Sequence, residues 1–238
     1  MLEMVKYSLR NWLLGDYDES DEEFEEFFRK IEKAKVKKSH YTDIRSEREV
    51  SMKKIKRKSK NYPLEVILST GEHIIIPRQS QFKNEWLREH GCSLMAEYIA
   101  LQFLGVKKIT VNGKHVGIYP INLLKWHKKN TPLDIHKKVT VRGVQRGIES
   151  LAGDKGKAEY YAKPTAERIE KALSEGDVVI MEQKNPIHTI VLLPDKDGTF
   201  IANHGKVEKA DINKIAKTAT TSNTYRGMIV VSKGSDNG

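Results

Sequence analysis

The 238-residue chain holds a single cysteine, Cys92. That count excludes an internal disulfide scaffold and a cysteine-built zinc site. No apolar run approaches the ~18–20 residues that a membrane-spanning helix needs, and the mean hydropathy is −0.58. Met1 to Leu14 has scattered charge, no small-residue cleavage site and no apolar stretch of the ~7–15 residues found in secretory signals. No such signal is read there, and a cytoplasmic location is expected. A secreted or cell-surface chain already trimmed of its leader would read the same way. No internal repeat is found.

Charge is abundant. Lys and Arg number 42 against 32 Asp and Glu, a formal net charge of +10. A basic balance of this size keeps nucleic acid in play as a partner, but its distribution argues the other way. Residues 16–28 hold eight acids and no Lys or Arg, whereas residues 29–60 hold fourteen Lys or Arg against four acids. These blocks attract each other. Residues 61–238 keep a net +7 with no evident stripe. A solvated charge run is the plainer reading, and basic nucleic-acid binding is retained only as an alternative.

The chain divides in two. Residues 1–60 read as a charged helical extension or linker. Phe24, Phe27, Phe28 and Ile31 recur at helical spacing, which predicts a helix over residues 21–36 with Ser20 as its N-cap. Residues 61–238 read as the folded body. Two hairpins are expected, over residues 64–76 and 108–118, the second turning at Asn112-Gly113. An apolar helix is expected from Gly91 to Leu104, a short helix over 144–151, and another that starts at Pro164-Thr165 and stops at Gly176. Strands follow at 178–181, 187–193, 199–202 and 228–231. The second is apolar on both faces and therefore a buried, central strand. Helices early and an antiparallel sheet late make an α+β fold.

Few residues can do chemistry. Cys92 begins the apolar helix, where free amides and the helix dipole favour a thiolate, the nucleophilic form of cysteine. A lone cysteine is otherwise a small buried hydrophobe. His188 opens the buried strand, and a polar ring there needs a partner. The other histidines lack this context: His40 and His127 sit among lysines, His73 and His115 lie in hairpins, and His90 reads as a loop residue. If residues 194–197 form a four-residue loop, Asn203 lies directly opposite His188, with Cβ atoms about 4.5–5.5 Å apart. Its carbonyl would then fix the ring's tautomer and direction. With Gly198 inside the turn, that pairing is lost. Nucleophile, base and orienter make a Cys-His-Asn arrangement. Gln81 or Gln79 could supply an oxyanion donor beside the Cys92 N–H, and Gln81 is preferred.

Ser80-Gln81, the step to Gly91-Cys92, and Ser93-Leu94-Met95-Ala96 in an apolar helix resemble the start of the bacterial papain-like peptidases related to bacteriocin leader (double-glycine) peptidases. The strand His188-Thr189-Ile190-Val191-Leu192 and the return through Phe200-Ile201-Ala202-Asn203 resemble that family's histidine strand and the strand after it. The resemblance covers about residues 64–232. Ser93 stands where the family usually has Gly, and Asn203-His204 where it has Asp-Pro. The resemblance implies a papain-like cysteine peptidase fold with Cys92, His188, Asn203 and Gln81 as the catalytic set. It also implies a peptide or protein substrate and no metal or organic cofactor. Deamidase, transglutaminase-like or isopeptide chemistry uses the same residues, and a papain-like domain that binds without turnover is a further alternative.

Overall fold

The computed structural model describes residues 64–234 apart from 69, 132–138, 185–186, 196–197, 204–205 and 222–223. The helix expected over residues 21–36, and the whole 1–60 segment, lie outside the described residues.

The first hairpin pairs β1 (Leu64–Ile67) with β2 (His73–Ile76). Ile74 and Ile76 alternate inward, as period-2 patterning requires. A 3-10 turn over Gln79–Gln81 leads to α1 (Glu85–His90), capped by the Asn84 side chain, which accepts from the Leu87 N–H at 3.0 Å. His90 is therefore the last residue of a helix and not a loop residue. The apolar helix follows at once as α2 (Cys92–Phe103). All its residues except Gln102 are buried, the mark of a helix enclosed on every side. The second hairpin, β3 (Lys108–Val111) and β4 (Lys114–Gly117), turns on Asn112 and Gly113, both at positive φ. His73 and His115, both in these hairpins, are exposed.

Next come α3 (Pro120–Asn130) and α4 (Val141–Ala152). Helix α3 is not among the expected elements, although Pro120 at its first position is a standard start signal. Strand β5 (Gly156–Tyr161) is also unanticipated. The expected helix is α5 (Ala166–Ser174), with the Thr165 hydroxyl accepting from the Arg168 N–H and Gly176 beyond its end. Then follow β6 (Val178–Gln183), β7 (His188–Asp195), β8 (Gly198–Asn203), β9 (Lys206–Lys209), α6 (Ile212–Thr221) and β10 (Tyr225–Lys233).

Strands β5 to β10 form one antiparallel sheet in the order β5-β10-β6-β7-β8-β9. Mixed helices and antiparallel sheet make this an α+β protein. Helices cover both faces of the sheet. On one side Val178, Ile180, Val191, Leu193, Ile229 and Val231 pack with α2, α3, α4 and the first hairpin. On the other, Val179, Met181, Ile190, Leu192, Met228 and Val230 pack with α5 and α6. Coverage on both sides explains why β6 and β7 are apolar at consecutive positions.

One register differs from expectation. Asp195 pairs with Gly198 and Val191 with Ala202, leaving two residues between the strands instead of four. Gly198 joins the ladder at φ +118, a backbone state that suits glycine. Continued by this register, Asn203 falls opposite Ile190, two residues along from His188. The direct His188–Asn203 opposition is not formed.

Candidate active site

Cys92 occupies the first position of α2, at its seam with α1. Gly91 closes α1 by donating its N–H to the Leu87 carbonyl at 3.0 Å, and its own carbonyl accepts from the Met95 N–H at 2.9 Å. A Cβ on Gly91 would lie 2.3 Å from the Leu87 carbonyl oxygen. Glycine is what lets two helices meet without a connecting loop and sets Cys92 at a helix N-terminus, against the sheet.

His188 is the first residue of β7 and pairs with Gln183 of β6. It is 8% exposed and Cys92 is 9% exposed. Both line one small cavity between α2 and the sheet. Its apolar walls are Ile76 and Pro77 after the first hairpin, Met95, Ala96 and Ile99 on α2, and Val191 and Ala202 on the sheet. Met95, Ala96 and Ile99 stand three, four and seven residues after Cys92, so one face of the helix carries both sulfur and wall.

Two polar residues complete the lining. Gln79, from the 3-10 turn, is 6% exposed and faces the same cavity. Gln81 ends that turn, but its side chain lies outside the described residues, as does that of Asn203. The cavity therefore unites Cys92, His188 and Gln79 of the residues considered from sequence. Thr189 is the fourth, and sequence reasoning passed over it. Its hydroxyl lies 3.8 Å from Cys92 Sγ, the thiol donating, and 3.1 Å from the Ser93 hydroxyl. The signal was available in strand alternation: Thr189, Val191 and Leu193 share the face that packs on α2. His188 reaches the cavity from the end of the strand.

A separate polar cluster lies elsewhere on α2. Glu97 Oε2 is 2.7 Å from His127 Nε2, and His127 Nδ1 is 2.7 Å from the Thr131 hydroxyl. Both Glu97 and His127 are fully buried. The lysine-rich neighbourhood of His127 thus misleads: its ring turns inward from α3. Among the described residues Glu97 Oε1 has no hydrogen-bond partner; it abuts Gly147 of α4, where a Cβ would come within 2.2 Å of it. Burial pushes the Glu97 carboxyl above the usual carboxylate range, and His127 pulls the other way by charge and hydrogen bonding.

Among the described residues, no group of three or more His, Cys, Asp or Glu is placed to hold a metal ion, and no helix is long and apolar enough to cross a membrane. No protein-family model matches the chain, and no curated protein matches it.

Proposed function

We propose that this protein is a thiol-dependent hydrolase of peptide or amide bonds, built on a papain-like α+β domain. The observation that carries the reading is the convergence of Cys92 and His188 on one cavity, with Cys92 at the N-terminus of an enclosed helix and His188 at the head of an interior strand. A nucleophile at a helix start facing a base on a sheet strand is the arrangement that thiol acyl transfer needs.

In this reading His188 takes the Cys92 proton, and the sulfur attacks the substrate carbonyl carbon. A carbon–sulfur bond forms, and the carbonyl pair moves onto oxygen. The Cys92 N–H and a glutamine amide hold that oxyanion. Gln79 is favoured for the glutamine by its place in the cavity, and Gln81 by the family resemblance. Collapse breaks the carbon–nitrogen bond as His188 protonates the leaving amine. Water, deprotonated by His188, then releases the acid and restores the thiol. Asn203 is the orienter in this scheme; in the β7–β8 register its backbone falls opposite Ile190, two residues along from His188.

Alkylation by iodoacetamide tests the reading. The native protein should react below pH 7 faster than free cysteine, and Cys92→Ala should not react. His188→Ala should slow alkylation at pH 6 by about tenfold or more, because the imidazolium that stabilises the thiolate is gone. Native protein no faster than free cysteine at every pH would reject the catalytic reading. Between the amides, the variant that lowers hydrolysis of a peptide mixture by roughly 10²–10³ marks the oxyanion donor. The expected one is Gln79→Ala, with Gln81→Ala the alternative.

A further inference from the structure

Thr189 touches two side chains at once. Its hydroxyl is 3.8 Å from Cys92 Sγ and 3.1 Å from Ser93 Oγ. Thr189 is 4% exposed and Ser93 1% exposed, so bulk water does not readily compete for these hydroxyls. Each hydroxyl carries one proton and accepts at its oxygen. Two consistent arrangements of the same heavy atoms follow. When the sulfur is a thiol, it donates to Thr189, and Thr189 donates to Ser93. When the sulfur is a thiolate, Ser93 donates to Thr189, and Thr189 donates to the sulfur. Reversing two hydroxyl rotors gives the sulfur a hydrogen-bond partner of the right sense in either state without moving the backbone.

We propose that Thr189 is a positioning residue for the Cys92 sulfur, and that Ser93 sets the direction of its proton. The proposal rests on the reading of Cys92 as nucleophile and deepens it. Thr189 supplies a directed hydroxyl to the sulfur from the sheet, and Ser93 on α2 holds that hydroxyl. A hydrogen bond to a charged partner near the weak end of the usual range, as befits a 3.8 Å contact, corresponds to roughly tenfold in an equilibrium. The pair also orients the thiol: Cys92 and Thr189 both line the cavity, so a sulfur held on the Thr189 hydroxyl is held at the cavity wall.

The experiment compares the native chain with Thr189→Val, Thr189→Ser and Ser93→Ala. Iodoacetamide alkylation is followed from pH 5 to 9, and thermal melting reports on folding. Thr189→Val keeps the shape and removes the hydroxyl. It should lower the rate at pH 6 by about tenfold and move the profile to higher pH, while the plateau at high pH changes less than threefold. Thr189→Ser should restore the native profile to within about twofold, which a purely packing role for the threonine methyl would not do. Ser93→Ala, which frees Thr189 to point elsewhere, should lower the pH 6 rate by about threefold. It also carries the test if Thr189→Val melts below the assay temperature. Superimposable profiles for the native chain, Thr189→Val and Ser93→Ala would overturn the proposal and leave the thiol reading standing. A native chain that alkylates no faster than free cysteine would overturn both.

Discussion

Glu97 shows what one buried carboxyl does to the molecule. It is fully enclosed, with one oxygen on His127 and the other facing the bare Cα of Gly147. Its carboxyl titrates higher in the folded protein than in the unfolded chain, because burial disfavours the charged form more than His127 restores it. The sign then follows. Between the unfolded value of about 4.3 and the higher folded value, the folded state holds a proton that the unfolded state has lost. The Glu97 contribution to stability is therefore complete below pH of about 4.3 and is lost as the pH rises through the folded value. Glu97→Gln keeps the shape and does not titrate. Melting temperatures of the two proteins should diverge with rising pH, the native chain losing ground to the variant. Parallel curves would show that the His127 contact already cancels the cost of burial.

The first hairpin is held to α2 by a side chain acting as a strand edge. The Ile75 N–H donates to Gln102 Oε1 at 2.9 Å, and Gln102 Nε2 donates to the Ile75 carbonyl at 3.0 Å. These bonds complete the open edge of β2, a two-stranded element that would be marginal alone. Gln102 is the one α2 residue of intermediate burial, and these two bonds explain an amide at that position. Gln102→Ala leaves one backbone donor and one acceptor unpaired in a half-buried place. The expected loss is about 1–3 kcal/mol in urea unfolding. Because β2 leads into the turn that carries Gln79, the proposed peptide hydrolysis should fall more than stability alone accounts for. A change within about 0.5 kcal/mol, the range of ordinary surface substitutions, would show that the hairpin holds its place without the clip.

At the level of the whole chain, two apolar clusters on opposite faces of one sheet are assembled from residues 66–231. Each holds many fully buried aliphatic side chains, worth about 1.5–3 kcal/mol apiece against exposure. A chain shortened to residues 61–238 should therefore show a cooperative melt and the same iodoacetamide alkylation rate as the full chain. A shortened chain that is unfolded by circular dichroism would place part of residues 1–60 in the core. Much of this architecture was legible in the sequence because its signals are local. Asn112-Gly113 specifies a turn by the dihedrals its residues tolerate. Gly91 and Gly105 bracket α2, and consecutive apolar residues from Ile190 to Leu193 mark a strand covered on both sides. Helix α6 was not among the expected elements, although Ile212, Ile215, Ala216 and Ala219 recur at helical spacing; its partner face on the sheet is distant in sequence. The register of β7 against β8 was different in kind. Moving one strand by two residues returns every side chain to the face it had, so the apolar pattern is the same for the four-residue connection expected and the two-residue one found. Only the paired backbones decide between them. The same holds for the inward turn of His127 and for Thr189 beside the sulfur, each of which depends on what another element places against it.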